Sequence, residues 1–339
     1  MASRFHVTSL ALLLCASALV SDPLAQAQPG SHLPVVETDR IQVGGSTIQV
    51  DFADGPLDLP RQAVVARIAT AATAVATYYG RFPVSSARVL VIPVPGRHGV
   101  VQGTTWGDMH GFPGFTRIRL GEHTTAPELA ADWTITHELT HMAFPSMPQD
   151  QNGDDSAQHW IEEGLATYIE PVSRVMIGDL TAPKIWRDMV RDMPQGEPAP
   201  GDQGLDHTHT WGRTYWGGAM FCLVADVEIR QQTHNHFGLQ DALRAIVAQG
   251  GTIDHDWTLP QALAIGDRAT NTHVLTELYA QWKDAPVQYD LPALWSRLGI
   301  LSTPDGIEFS SSAPLADVRE AITEPRGAPI VAAVVPPSH

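Results

Sequence analysis

His137-Glu138-Leu139-Thr140-His141 sets two imidazoles four residues apart with a carboxylate between them. On a helix, positions i and i+4 lie one turn apart on one face, so both rings can reach a single cation. Neutral imidazole nitrogens beside a carboxylate suit Zn²⁺, and Glu138 stands close enough to accept a proton from water that the metal acidifies. Two ligands alone hold a metal poorly. A third is available in Trp160-Ile161-Glu162-Glu163-Gly164-Leu165-Ala166-Thr167-Tyr168, a second apolar-periodic segment with two adjacent carboxylates.

Together these segments resemble the gluzincin metallopeptidases, the superfamily of thermolysin and the aminopeptidase N-like enzymes. The Glu-Gly-x-Ala run is the closer echo of the aminopeptidase branch. In that pattern the third ligand is the Glu directly before Gly, which implies Glu163 and makes Glu162 its neighbour. Twenty-one residues separate His141 from Glu163, slightly more than that branch usually shows, and the excess fits the polar loop 146–158.

The resemblance also implies a donor to the oxyanion, a Tyr in a Tyr-x-Lys-Gly pattern opening a downstream helix. Thr214-Tyr215-Trp216-Gly217-Gly218-Ala219 is similar, with Gly217 at the Lys position, and gives Tyr215 that role. The blander reading packs Tyr215 with Trp211 and Trp216 at the start of a buried helix. His207 or His209 is the alternative donor, by analogy with thermolysin, or both are surface histidines. The aminopeptidases hold the substrate amine through Gly-x-Met-Glu-Asn. The nearest run here, Gly107-Asp108-Met109-His110-Gly111, has His110 where that Glu belongs, so exopeptidase action loses its main support. Glu170 and Asp132 are candidates to fix the imidazole tautomers, as partners of ligating histidines do.

Acidic residues outnumber basic ones 37 to 21, for a net charge of −16, which opposes nucleic acid or an anionic membrane as partner. Residues 1–27 read as a secretory signal: Arg4, an apolar stretch 10–20, and the small-x-small site Ala25-Gln26-Ala27. Cys15 falls inside that segment, leaving Cys222 as the one cysteine of the mature chain, a buried structural thiol with no disulfide partner. No later apolar run is long enough to span a membrane.

The elements that must position these residues follow from periodicity. Segments 40–43 and 47–52 flank Gly44-Gly45-Ser46 as a hairpin; 59–79 is an apolar-faced helix; 88–92 is a strand; and 115–120 alternates as a half-exposed edge strand. One helix over 127–144, stopped by Pro145, carries the zinc motif. Further helices are expected over 158–170, with Pro171 as a possible stop, then 182–193, 211–231, 239–249, 259–264, 272–283 and 291–298. Residues 193–210 form the longest loop of this half, placed to border the cleft, and 325–339 form a loosely ordered or surface-laid tail.

The fold class is therefore α+β: a small mixed sheet beside the zinc-motif helix, then a mostly helical lobe. Residues 28–148 make the first lobe and 157–324 the second, with the boundary in the loop 149–156. The expected function is a secreted or periplasmic zinc peptidase acting on a peptide or protein, without nucleic acid and without membrane insertion after signal removal. A zinc-retaining binding module without peptidase activity is the alternative, and retention of Glu138 weighs against it.

Overall fold

The computed structural model describes residues 34–148, 156–304, 306–325 and 327–335. The signal segment and most of the boundary loop lie outside these residues. In chain order the N-terminal part comprises β1 (Val35–Val43), β2 (Ser46–Ala53), α1 (Arg61–Tyr79), β3 (Ser86–Val94), β4 (Val100–Met109), β5 (Phe112–Gly121), α2 (Ala126–Ala131) and α3 (Thr134–His141). Helices then dominate: α4 (His159–Met176), α5 (Ala182–Asp192), α6 (Gly218–Gln232), α7 (Leu239–Ala248), α8 (Leu259–Thr270), α9 (Val274–Trp282) and α10 (Leu291–Arg297). A hairpin of β6 (Ile300–Thr303) and β7 (Gly306–Phe309), then α11 (Ala316–Thr323) and β8 (Ala333–Val335), complete the order.

Six strands form one mixed sheet in the order β4-β5-β3-β2-β1-β8. Strands β2, β3 and β5 run parallel to one another, and antiparallel neighbours flank them on both sides. The α+β class expected from the sequence is the class observed. Its buried face is built from Ile41, Ile48, Val50, Val89, Val91 and Ile118, which pack with the alanine- and valine-rich α1 and with α3.

Three expectations need correction. The edge strand is β4, whereas β5, which contains 115–120, pairs on both sides. Gly103 and Gly107 break the apolar alternation of β4, while Arg117 lies over the Trp106 ring and covers a paired strand with a charged side chain. The single helix expected over 127–144 is two. A Thr125–Glu128 capping box starts α2, and Asp132 then turns extended, its side chain accepting from the Ile135 amide at 3.1 Å to open α3. Helix α4 runs through Pro171 to Met176. The chain's last described stretch lies along α1 and β1, as the surface-laid alternative for the tail expects. Amides of Ile330 and Ala332 donate to Thr77 and Thr73 of α1, and Val334 and Val335 pair onto the open edge of β1.

Candidate metal centre

Helix α3 separates its two functions by face. Ile135, Leu139 and the following Met142 are buried at helical spacing against the core, each apolar side chain contributing roughly 1.5–3 kcal/mol. His137, Glu138 and His141 look the other way, into a cleft of about 720 Å³ that Tyr215, His159, Glu163 and residues 100–107 of β4 also line.

Across the cleft, α4 presents Glu163. Its Oε2 lies 3.0 Å from His137 Nε2 and 3.7 Å from His141 Nε2. Three donors bound tetrahedrally at zinc distances stand roughly 3.3 Å from one another, so this spacing suits one Zn²⁺. Glu138 also falls within 4.8 Å of both imidazoles. Its Oε2, however, already accepts from Thr105 Oγ1 at 2.8 Å, which makes Glu163 the better third donor. Glu162 is committed elsewhere, accepting from the Met147 amide and from His159 Nδ1, both at 3.0 Å. Gly164 explains why the motif needs glycine after the glutamate: a Cβ there would meet the Gly218 carbonyl carbon at 2.3 Å, so only a bare backbone lets α6 close on α4.

Burial raises the Glu163 carboxyl, but the charge of His141 and the hydrogen bonds from His137 and His159 more than offset it and hold it well below the ordinary carboxylate range. Burial pushes Glu138 the other way, above its ordinary value, against His141 and Thr105. A carboxyl raised toward neutrality is suited to taking and returning a proton. His159 is pushed up to about 10 by its hydrogen bonds to Glu162 and Glu163.

Tyr215 lies on the cleft wall within a π-helical turn, Gly212–Gly217, that leads into α6. Its ring stacks on His137 with centroids 6.1 Å apart and on Trp211 at 5.6 Å. Tyr215 thus packs with Trp211 while lining the cleft beside His137. His207 and His209 are exposed and do not line the cleft, and His207 pairs with Asp284 at 2.9 Å. None of residues 194–210 lines it either. The turn at Asp108 and His110 takes left-handed backbone angles at the far end of β4, outside the cleft. His137 Nδ1 is buried without a hydrogen-bond partner. Neither tautomer candidate meets it: Glu170 accepts from Arg174, and Asp132 caps α3. Cys222 is buried, and burial pushes its thiol up, as a structural cysteine requires.

Sequence reasoning missed His159, Thr105 and Gly103, and Trp133, whose ring meets His137 edge-on at the cleft wall. His159 was legible in principle, standing four residues before Glu163 on the same helix; Thr105 and Gly103 were hidden with their strand.

The described residues carry an HExxH group, His137-Glu138-Leu139-Thr140-His141, on an α+β framework similar in fold to that of an aminopeptidase N family protein. An aminopeptidase N family protein from Idiomarina loihiensis matches it at a TM-score of 0.60 and 11% identity, over 82% of this chain and 53% of that one. An M1 zinc metallopeptidase from Deinococcus radiodurans matches at 0.47 and 16% identity, over 75% of this chain and 52% of that one. A mutant of the Deinococcus enzyme bound to a Tyr-Ser-Ala substrate matches at 0.48 and 16% identity, over 76% and 53%. No protein-family model and no curated protein sequence matches the chain. The chain spans about half the length of these structures, and its likeness to the Idiomarina protein is one of fold.

Proposed function

We propose that the chain is a zinc-dependent peptidase, exported to the periplasm or beyond, in which His137, His141 and Glu163 hold the metal, Glu138 is the general base and Tyr215 the oxyanion donor. The observation that carries this reading is the convergence of Glu163 Oε2 on both motif imidazoles, in a cleft where its ion pairs are with histidines alone among the described residues. A zinc ion held there supplies Lewis acidity, lowering the pKa of water toward about 7.

The chain's own residues supply the rest. Among the described residues β4 is the outermost strand of the sheet and lines the cleft, and an extended peptide laid along it would gain main-chain hydrogen bonds as an added strand does. Glu138 takes the proton of the attacking water and passes it to the departing amine nitrogen. Tyr215 donates to the oxygen on which negative charge develops. The signal-like segment 1–27 supports export, and no described helix is long and apolar enough to cross a membrane.

The test is zinc content together with cleavage of a mixed peptide library, for wild type and Glu138→Gln. Stoichiometric zinc in both with cleavage only by wild type is expected. Zinc without cleavage by either would replace this reading with a peptide-binding module.

A further inference from the structure

Strand β4 faces Glu138 with two residues, Gly103 and Thr105, which share a side because side chains alternate along a strand. A Cβ on Gly103 would stand 2.5 Å from Glu138 Cγ and 2.7 Å from its Oε1. Thr105 Oγ1 lies 2.8 Å from Glu138 Oε2, 3.0 Å from the Glu138 carbonyl oxygen and 2.9 Å from Thr116 Oγ1. Thr116 is buried on the paired strand β5. The two oxygens of one carboxylate therefore meet different surfaces: Oε1 lies over a bare Cα, and Oε2 on a hydroxyl anchored to the sheet.

We propose that Thr105 is a positioning residue for Glu138, fixing Oε2 so that Oε1 is the oxygen that takes up and returns the proton. This deepens the peptidase reading and rests on it. A hydroxyl suits the task because it carries one donor and two acceptor sites. Thr105 donates to Oε2 when the carboxylate is bare. When Oε1 carries the proton, Oε2 is still an acceptor without a hydrogen, and Thr105 goes on donating to it. The β-branch restricts χ1, so the strand itself sets the hydroxyl's direction. Gly103 completes the device, since any side chain there would occupy the space of Oε1.

The test compares Thr105→Val, which keeps the shape and removes the hydroxyl, with Thr105→Ser, which keeps the hydroxyl. Zinc content, thermal midpoint, kcat and KM are measured on a peptide the wild type cleaves, and crystal structures are determined for all three proteins. The valine variant is expected to keep its zinc and its KM while kcat falls roughly 10- to 100-fold, with the serine variant restoring most of the rate. In the crystals the Glu138 carboxylate turns away from β4 in the valine variant only. A valine variant with wild-type kcat overturns the proposal, and so does one that loses zinc with its activity, or a serine variant as slow as valine. If the wild type cleaves no peptide, the peptidase reading fails separately. The crystals then decide the positioning, and an unmoved Glu138 in Thr105→Val overturns it.

Discussion

Helix α4 carries two buried glutamates, two turns apart, in opposite company. Glu170 meets arginine: its Oε1 accepts from Arg174 at 2.7 Å, Arg174 and Arg67 both bind Asp179, and their guanidinium groups also take the carbonyls of Ala130 and Asp132. Glu163 meets histidines, one of which has a ring nitrogen without a partner. Guanidinium groups carry fixed charge, so the rear cluster holds its carboxylates without help, although burial still pushes Glu170 up to about 7 against Arg174. Imidazoles are neutral or charged as conditions dictate, so on the proposed reading a divalent cation would complete the front cluster. One helix thus ties the frame together at one end and presents chemistry at the other. The frame sets the chemistry, because the carbonyls held by Arg67 and Arg174 belong to the α2–α3 break that aims His137.

The contrast is broken most directly at the front. Glu138→Gln should lower kcat roughly 100- to 10,000-fold with zinc retained, measured by peptide cleavage and metal analysis. Loss of zinc in that variant would make Glu138 a ligand and undo the assignment of Glu163. Tyr215→Phe keeps the stack on His137 and should cost kcat about 100-fold or more with KM little changed.

At the rear the effect should appear in stability instead. Arg174→Ala leaves Glu170 without its cation and should lower the unfolding free energy by roughly 3–5 kcal/mol in urea titrations. Glu163→Ala should abolish stoichiometric zinc yet shift the metal-free protein much less. Similar urea midpoints for the two metal-free variants would show that the clusters do not divide these tasks.

The smallest effect concerns acid. Burial raises Asp179, but Arg67 and Arg174 more than offset it and hold its carboxyl below the ordinary value. A carboxyl held low in the folded state contributes stability that is present above its ordinary pKa and lost as pH falls through the folded one. The stability gap between wild type and Asp179→Asn should therefore narrow as pH is lowered from about 6 to about 3. A gap constant over that range would remove Asp179 from the frame.

How much of this was legible beforehand follows the range of the interactions. His137, Glu138 and His141 stand one helical turn apart, so local spacing brought them together, whereas the choice of Glu163 over Glu162 came from the resemblance and not from spacing. The α3 boundary was not legible, because Asp132 leaves helical geometry in a place where Arg67 and Arg174, distant in sequence, take its carbonyl. Strand β4 was missed because its glycines answer to Glu138 and Ile253 across space, and no alternation along the chain records that demand. Pro171 read as a stop, yet it lies inside a buried helix packed against α6, where tertiary contacts outweigh local preference.

The π-helical turn before α6 has a consequence for insertions and deletions. Each residue in an ordinary helix advances its neighbours by about 100° of rotation, and a wide turn takes in one extra residue without passing that rotation to its flanks. Removing one residue from 212–217 would let the turn close into ordinary helix with both flanks kept in phase, while the side chains inside it take new directions. Tyr215 lies inside that turn and lines the cleft. Substitutions that preserve the residue count around it are therefore far more tolerable than a single deletion that changes no side chain's identity.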